Sequence, residues 1–125
     1  MENDKKKYDL EDRLVDFACL GLDVCDLLPD TKAGQNLAYQ LSRSCTAAAL
    51  IYGEAQAAES PADFVHKLKL VLKEVRESRI NLRIIIKKPL AKDKLAISPL
   101  DECDQLMAIF MASINTAKKN KDKSS

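Results

Sequence analysis

Apolar residues recur along most of this 125-residue chain at alternating spacings of three and four, the period of a helix that buries one face. Leu10, Leu14, Phe17, Gly21, Val24 and Leu28 predict a first helix over about 9–28, stopped by Pro29. Beside that stripe runs a second one, Val15, Cys19 and Leu22. Together they make an apolar face wider than a lone bundle requires, which implies a second buried contact. Leu37, Leu41, Ser44, Ala48, Tyr52 and Ala55 predict a second helix over about 32–58, capped by Asp30 or Thr31. Its small residues, Ala47 to Ala49, Gly53, Ala55, Ala57 and Ala58, suit a close approach of neighbouring helices.

The third helix, about 61–88, has the clearest start: Ser60 can cap, Pro61 takes the first helical position and Asp63 completes a shortened capping box. Phe64, Leu68, Val71, Val75, Leu82 and Ile85 mark its inner face, and Pro89 disfavours helical geometry in the residue before it. After the long connection PLAKDKLAI, the quartet Ser98, Pro99, Leu100, Asp101 repeats the start signal. It opens a fourth helix over about 99–118 through Cys103, Met107, Phe110, Met111 and Ile114. The charged residues 119–125 lack apolar anchors and are expected to form a disordered tail. One all-α domain follows, an antiparallel up-down-up-down four-helix bundle, because short links force antiparallel neighbours. A turn centred near Glu59 and Ser60 sets Arg43 level with Glu77, and Glu54 level with His66.

Composition agrees with this reading. The chain is 46% hydrophobic, with three Gly and four Pro, too few for the turns of an all-β fold. Its formal net charge of +1 supplies no global field toward nucleic acid or membrane, so an anionic partner must meet a local patch. The first residues, MENDKKKYDLED, lack the apolar stretch of a signal peptide, and no apolar run reaches a membrane span. A cytoplasmic protein is expected, with no membrane partner. Cys19, Cys25, Cys45 and Cys103 show neither a paired Cys-x-x-Cys nor a histidine cluster, and are expected to be reduced thiols packed as small apolar residues.

Candidate chemistry is sparse. A di-metal bundle site needs two Glu-x-x-His pairs, and the single histidine, His66, follows Asp63. His66 with Cys45 lacks a third orienting group, and there is no glycine-rich phosphate loop or dinucleotide fingerprint. The sequence therefore points to no catalytic residue, metal, cofactor or small-molecule substrate. Two groups of charge remain. Lys69, Lys73, Arg76, Arg83 and Lys87 fall on one side of the third helix, with Lys88, Lys92 and Lys94 extending the charge, and form a candidate nucleic-acid-binding strip. No aromatic residue is interleaved for base stacking. Arg43, Glu54 and Glu77, beside Glu74, Arg76 and Arg79, form a second group, suited to salt bridging or to a polar contact between subunits.

Residues 40–78, QLSRSCTAAALIYGEAQAAESPADFVHKLKLVLKEVRES, carry a resemblance. Gln40, Arg43, Ser44, Thr46, Glu54 to Ser60, Ala62, Asp63, Phe64, His66, Lys67, Leu68, Lys73, Glu74 and Glu77 resemble the four-helix-bundle family of proteins encoded in intervening sequences of bacterial 23S rRNA genes, the S23 ribosomal protein family. The chain departs from that pattern at Cys45, Ala47 and Ile51, and has Ile80 and Asn81 where a Tyr-Trp pair is common. The resemblance implies a four-helix bundle assembled as a homopentameric ring, with no established enzymatic activity. Structured RNA is then the first candidate partner. A more distant similarity, to the pentameric accessory protein of diversity-generating retroelements, makes a nucleic-acid-processing protein such as a reverse transcriptase the alternative.

Overall fold

The computed structural model describes residues 9–91 and 94–124, which form four helices and no strand. Helix α1 spans Leu10–Leu27, α2 Lys32–Gln56, α3 Pro61–Lys87 and α4 Ile97–Ser124, the last preceded by one 3₁₀ turn, Lys94–Ala96. Side chains satisfy the free N–H groups at three of the helix starts. The Asp12 N–H donates to the Asp9 carboxylate (2.9 Å), the Gly34 N–H to the Thr31 hydroxyl (3.0 Å) and the Asp63 N–H to the Ser60 hydroxyl (3.0 Å). Thr31 rather than Asp30 is thus the cap of α2. Asp30 instead accepts from the Gln35 side chain.

Each helix packs on the next, and contacts between named residues give their directions. Along α1 and α2, Cys25 meets Ala38, Cys45 meets Ala18, and Gln56 meets Glu11, so the two run antiparallel. Ser44 meets Ser78 and Glu54 meets Lys67, which makes α2 and α3 antiparallel within about a residue of the expected register. Helix α4 closes the bundle against α3, and touches α1 through Arg13, whose guanidinium donates to Glu102 (2.6 and 3.1 Å) and to the Gln105 side-chain oxygen (2.8 Å). Helices α1 and α3 share no direct backbone contact and lie diagonally opposite. Tyr52 and Phe110 meet edge to face across the other diagonal, ring centres 5.7 Å apart.

The core follows the apolar period. Leu14, Phe17, Gly21, Val24, Leu37, Leu41, Ala48, Leu68, Val71, Val75, Leu82 and Ile85 are all buried. Four expectations are corrected. Helix α4 begins at Ile97, so Ser98 is its second residue rather than its cap and Pro99 its third rather than its first. The first N–H groups of a helix have no intrahelical acceptor, so a proline at the third position costs no hydrogen bond, and Pro99 is fully buried. Helix α4 also continues past Lys118 to Ser124, in place of a disordered tail, with Ser125 outside the described residues. Ala117 is buried and Lys121 half-buried, one turn apart, against Phe64 and the α2–α3 turn. Met111 is exposed and Leu106 fills the core in its place. Finally, Gly53 faces open space, and the close helix approach lies at Gly21, where an added Cβ would stand 2.7 Å from Cys45 Sγ.

All four thiols are free, yet they are not equally packed: Cys45 and Cys103 are buried, Cys25 is half-buried and Cys19 is exposed, contrary to the expectation that all are buried. Burial pushes the Cys25 thiol up to about 11, and Cys45 and Cys103 to about 12, from an ordinary 9.0.

Gly21→Ala should destabilise the fold by about 1–3 kcal/mol in urea unfolding, because the methyl overlaps Cys45. Gly53→Ala should stabilise it by up to about 1 kcal/mol, since only helix propensity changes. A thiol reagent should modify Cys19 at once in dilute native protein and Cys45 and Cys103 only on unfolding. Because the unfolded chain releases these protons near pH 9 and the folded chain does not, stability should be constant below pH 9 on their account and fall between about 9 and 12. The Cys45→Ala/Cys103→Ala variant should show a shallower fall.

Candidate nucleic-acid interface

The inner face of α3 fixes where its charges point. With Leu68, Val71, Val75, Ser78, Leu82 and Ile85 turned inward, the 3.6-residue period turns Lys69, Lys73, Arg76, Arg83 and Lys87 outward. The structure places all five on the exposed face, followed by exposed Lys88 and Lys94, while Lys92 lies outside the described residues. Lys73 is held by Glu74 and Glu77 (3.6 Å each), so its charge is largely neutralised. Lys69, Arg76, Arg83 and Lys87 make no ion pair among the described residues. The strip is therefore four open cations with a screened fifth.

The structure adds what periodicity did not show. Ile80 and Ile84 stand exposed within the strip, at 50% and 46% of full exposure, beside Arg83 and Lys87. Ile80 is one of the positions where the chain departs from the family pattern. The outer end of α3 thus mixes aliphatic and cationic side chains, with Leu100 of α4 at its edge.

The second charged group opens on a groove of about 430 Å³ between α2 and α3, lined by Tyr39, Arg43, Leu50, Lys73, Glu74 and Glu77 among others. Ser44 lines it, and the Ser44 hydroxyl meets that of buried Ser78 at 2.7 Å. Each hydroxyl also has a carbonyl of its own helix as an acceptor, Glu74 for Ser78 (3.0 Å) and Leu41 for Ser44 (3.4 Å), so either can be the donor between them. Arg43 and Glu77 line the same groove as the register requires, but they form no ion pair. Arg43 lies over the Tyr39 ring (5.5 Å) and donates to its hydroxyl (3.1 Å), while Glu77 takes Lys73. Glu54 pairs with Lys67 (3.5 Å), the neighbour of His66. Burial first, and then the charge of Glu77, raises the Glu74 carboxyl above its usual range.

His66 is exposed on α3, whereas the Cys45 thiol is buried and donates to the Ala18 carbonyl on α1, so the two are not brought together. Among the described residues no group of three or more His, Cys, Asp or Glu is placed to hold a metal ion, and no helix is long and apolar enough to cross a membrane. Sequence reasoning missed the Arg13–Glu102–Gln105 clasp, and also Arg79–Asp104 (2.6 Å). Neither has a local signal, since the partners lie many residues apart.

No protein-family model matches the chain, and no curated protein matches it. A solved structure does: a protein of unknown function from the S23 ribosomal protein family of Bacteroides thetaiotaomicron, 24% identical, covering 85% of this chain and 98% of that one at a TM-score of 0.77. The family resemblance seen in residues 40–78 thus meets its counterpart in three dimensions, and the chain has the fold of that S23 ribosomal protein family member.

Proposed function

We propose that the chain is a non-enzymatic, homo-oligomeric helical-bundle protein, five copies in a closed ring, that acts in the cytoplasm by binding a macromolecular partner, with structured RNA the first candidate. The observation that carries the RNA reading is the row of open cations on α3, Lys69, Arg76, Arg83 and Lys87, exposed and without carboxylate partners among the described residues. Phosphates reward such a row through counterion release, and repetition around a ring multiplies a weak contact. The structural neighbour is named for the S23 ribosomal protein family, a name that agrees with an RNA partner. The oligomer is supported by α1, where Val15 and Leu22 remain 48% and 39% exposed beside Cys19.

A second reading, a scaffold or an accessory factor of a nucleic-acid-processing enzyme such as a reverse transcriptase, is favoured by Ile80 and Ile84. Phosphates have no use for aliphatic side chains, whereas a protein partner does.

A structured rRNA fragment should be retarded by the protein at about 50 mM salt and released steeply toward about 200 mM. Lys69→Glu/Arg76→Glu should weaken binding by about tenfold or more. No retardation even at low salt overturns the RNA reading. Light scattering at micromolar concentration should give about five times the 13.9 kDa chain mass, and a monomer mass overturns the oligomer.

A further inference from the structure

The charge of the molecule is near zero overall but is sorted by helix. Helix α1 carries five acids and one base, and α3 carries seven bases and three acids. On α1 the exposed apolar residues Val15, Cys19 and Leu22 lie on one face, with exposed Asp12, Asp23 and Asp26 around them. On α3 the exposed apolar residues Ile80 and Ile84 lie on one face, with Arg83 and Lys87 beside them. Asp23 and Asp26, like Arg83 and Lys87, make no ion pair among the described residues. Each face therefore lacks what the other supplies: an apolar strip to cover and a set of opposite charges to meet.

The two faces cannot satisfy each other within one molecule, because α1 and α3 are diagonal in the bundle and face outward on opposite sides. We infer that the acidic apolar face of α1 docks on the basic apolar face of α3 in a second copy of this chain. The contact is head-to-tail, so every copy offers one face of each kind, and a closed ring forms if the rotation between copies closes. This inference rests on the oligomeric part of the proposed function and names its interface. It also assigns Arg83 and Lys87 to the protein contact, leaving Lys69, Lys73 and Arg76 outward for another partner. The apolar strips supply the contact's core, and the charges set its direction, since two α1 faces or two α3 faces repel.

Charge reversal on the exposed polar residues tests this with little risk to the fold, which circular dichroism checks. Asp23→Lys/Asp26→Lys blocks the α1 face, and Arg83→Glu/Lys87→Glu blocks the α3 face. In light scattering without nucleic acid, each variant alone should dissociate at concentrations at least tenfold above those that dissociate the unaltered chain. Mixing the two should restore association, because the first variant keeps its α3 face and the second its α1 face. Full-size assemblies in either variant alone overturn the interface and leave the oligomer standing. Loss of assembly only in the α1 variant points instead to an α1–α1 contact and overturns the head-to-tail arrangement. A monomeric unaltered chain overturns both the oligomer and this contact.

Discussion

The arrangement of this bundle depends on the inward face of α3, where Leu68, Val71, Val75, Leu82 and Ile85 are buried together with Ser78 and Asn81. Ser78 meets Ser44 of α2 at 2.7 Å, a buried polar contact in a mostly apolar core. Slide α3 by one residue and every side chain on it turns by about 100°, which carries those aliphatic residues toward water and parts the two hydroxyls, leaving each only a carbonyl of its own helix, Leu41 for Ser44 (3.4 Å) and Glu74 for Ser78 (3.0 Å). The inward face thereby brings Glu77 and Lys73 to the α2–α3 groove and decides which residues of α3 face water. The outward row of cations is a consequence of the inward apolar row.

The second constraint is the closing of the bundle. Helices α1 and α4 are joined through the longest separation in the chain, and Arg13 holds them with three hydrogen bonds to Glu102 and Gln105. Half-buried, a forked guanidinium against a carboxylate holds geometry as well as charge. It lies where the two helices have little other contact, at the rim of an open groove that also takes in Phe17 and Ile97.

What the sequence revealed and what it hid divide along physical lines. Signals confined to a turn or two were legible: the Ser60–Pro61 start of α3, a cap for α2 at Asp30 or Thr31, the period that buries Leu14, Phe17 and Val24. The level of Arg43 and Glu77 was legible too, since a hairpin's register follows from its turn. Their pairing was not, because a long side chain chooses among several partners at that level, and Arg43 found Tyr39 closer at hand. Local signals misled where a neighbour overruled them. Pro99 reads as a helix start until a 3₁₀ turn runs into it, and residues 119–124 read as a solvated tail until Phe64 and the α2–α3 turn offer Ala117 and Lys121 a surface. The choice of Leu106 over Met111 likewise awaited knowledge of which flank α3 would cover. The exposed isoleucines of α3 were hidden for the same reason: whether an aliphatic residue lies inside depends on the width of the neighbour.

The sorting of charge between α1 and α3 gives the molecule an electrical shape that its near-neutral total conceals. In an antiparallel bundle the axial dipoles of the helices largely cancel in pairs, so little polarity remains along the long axis. What survives is a permanent moment across the short axis, from the acidic flank to the basic one. Two such molecules attract or repel according to how they are turned before any surface touches, over a range that salt shortens to about 8 Å at physiological strength. Orientation is thereby selected during approach as well as in the final fit.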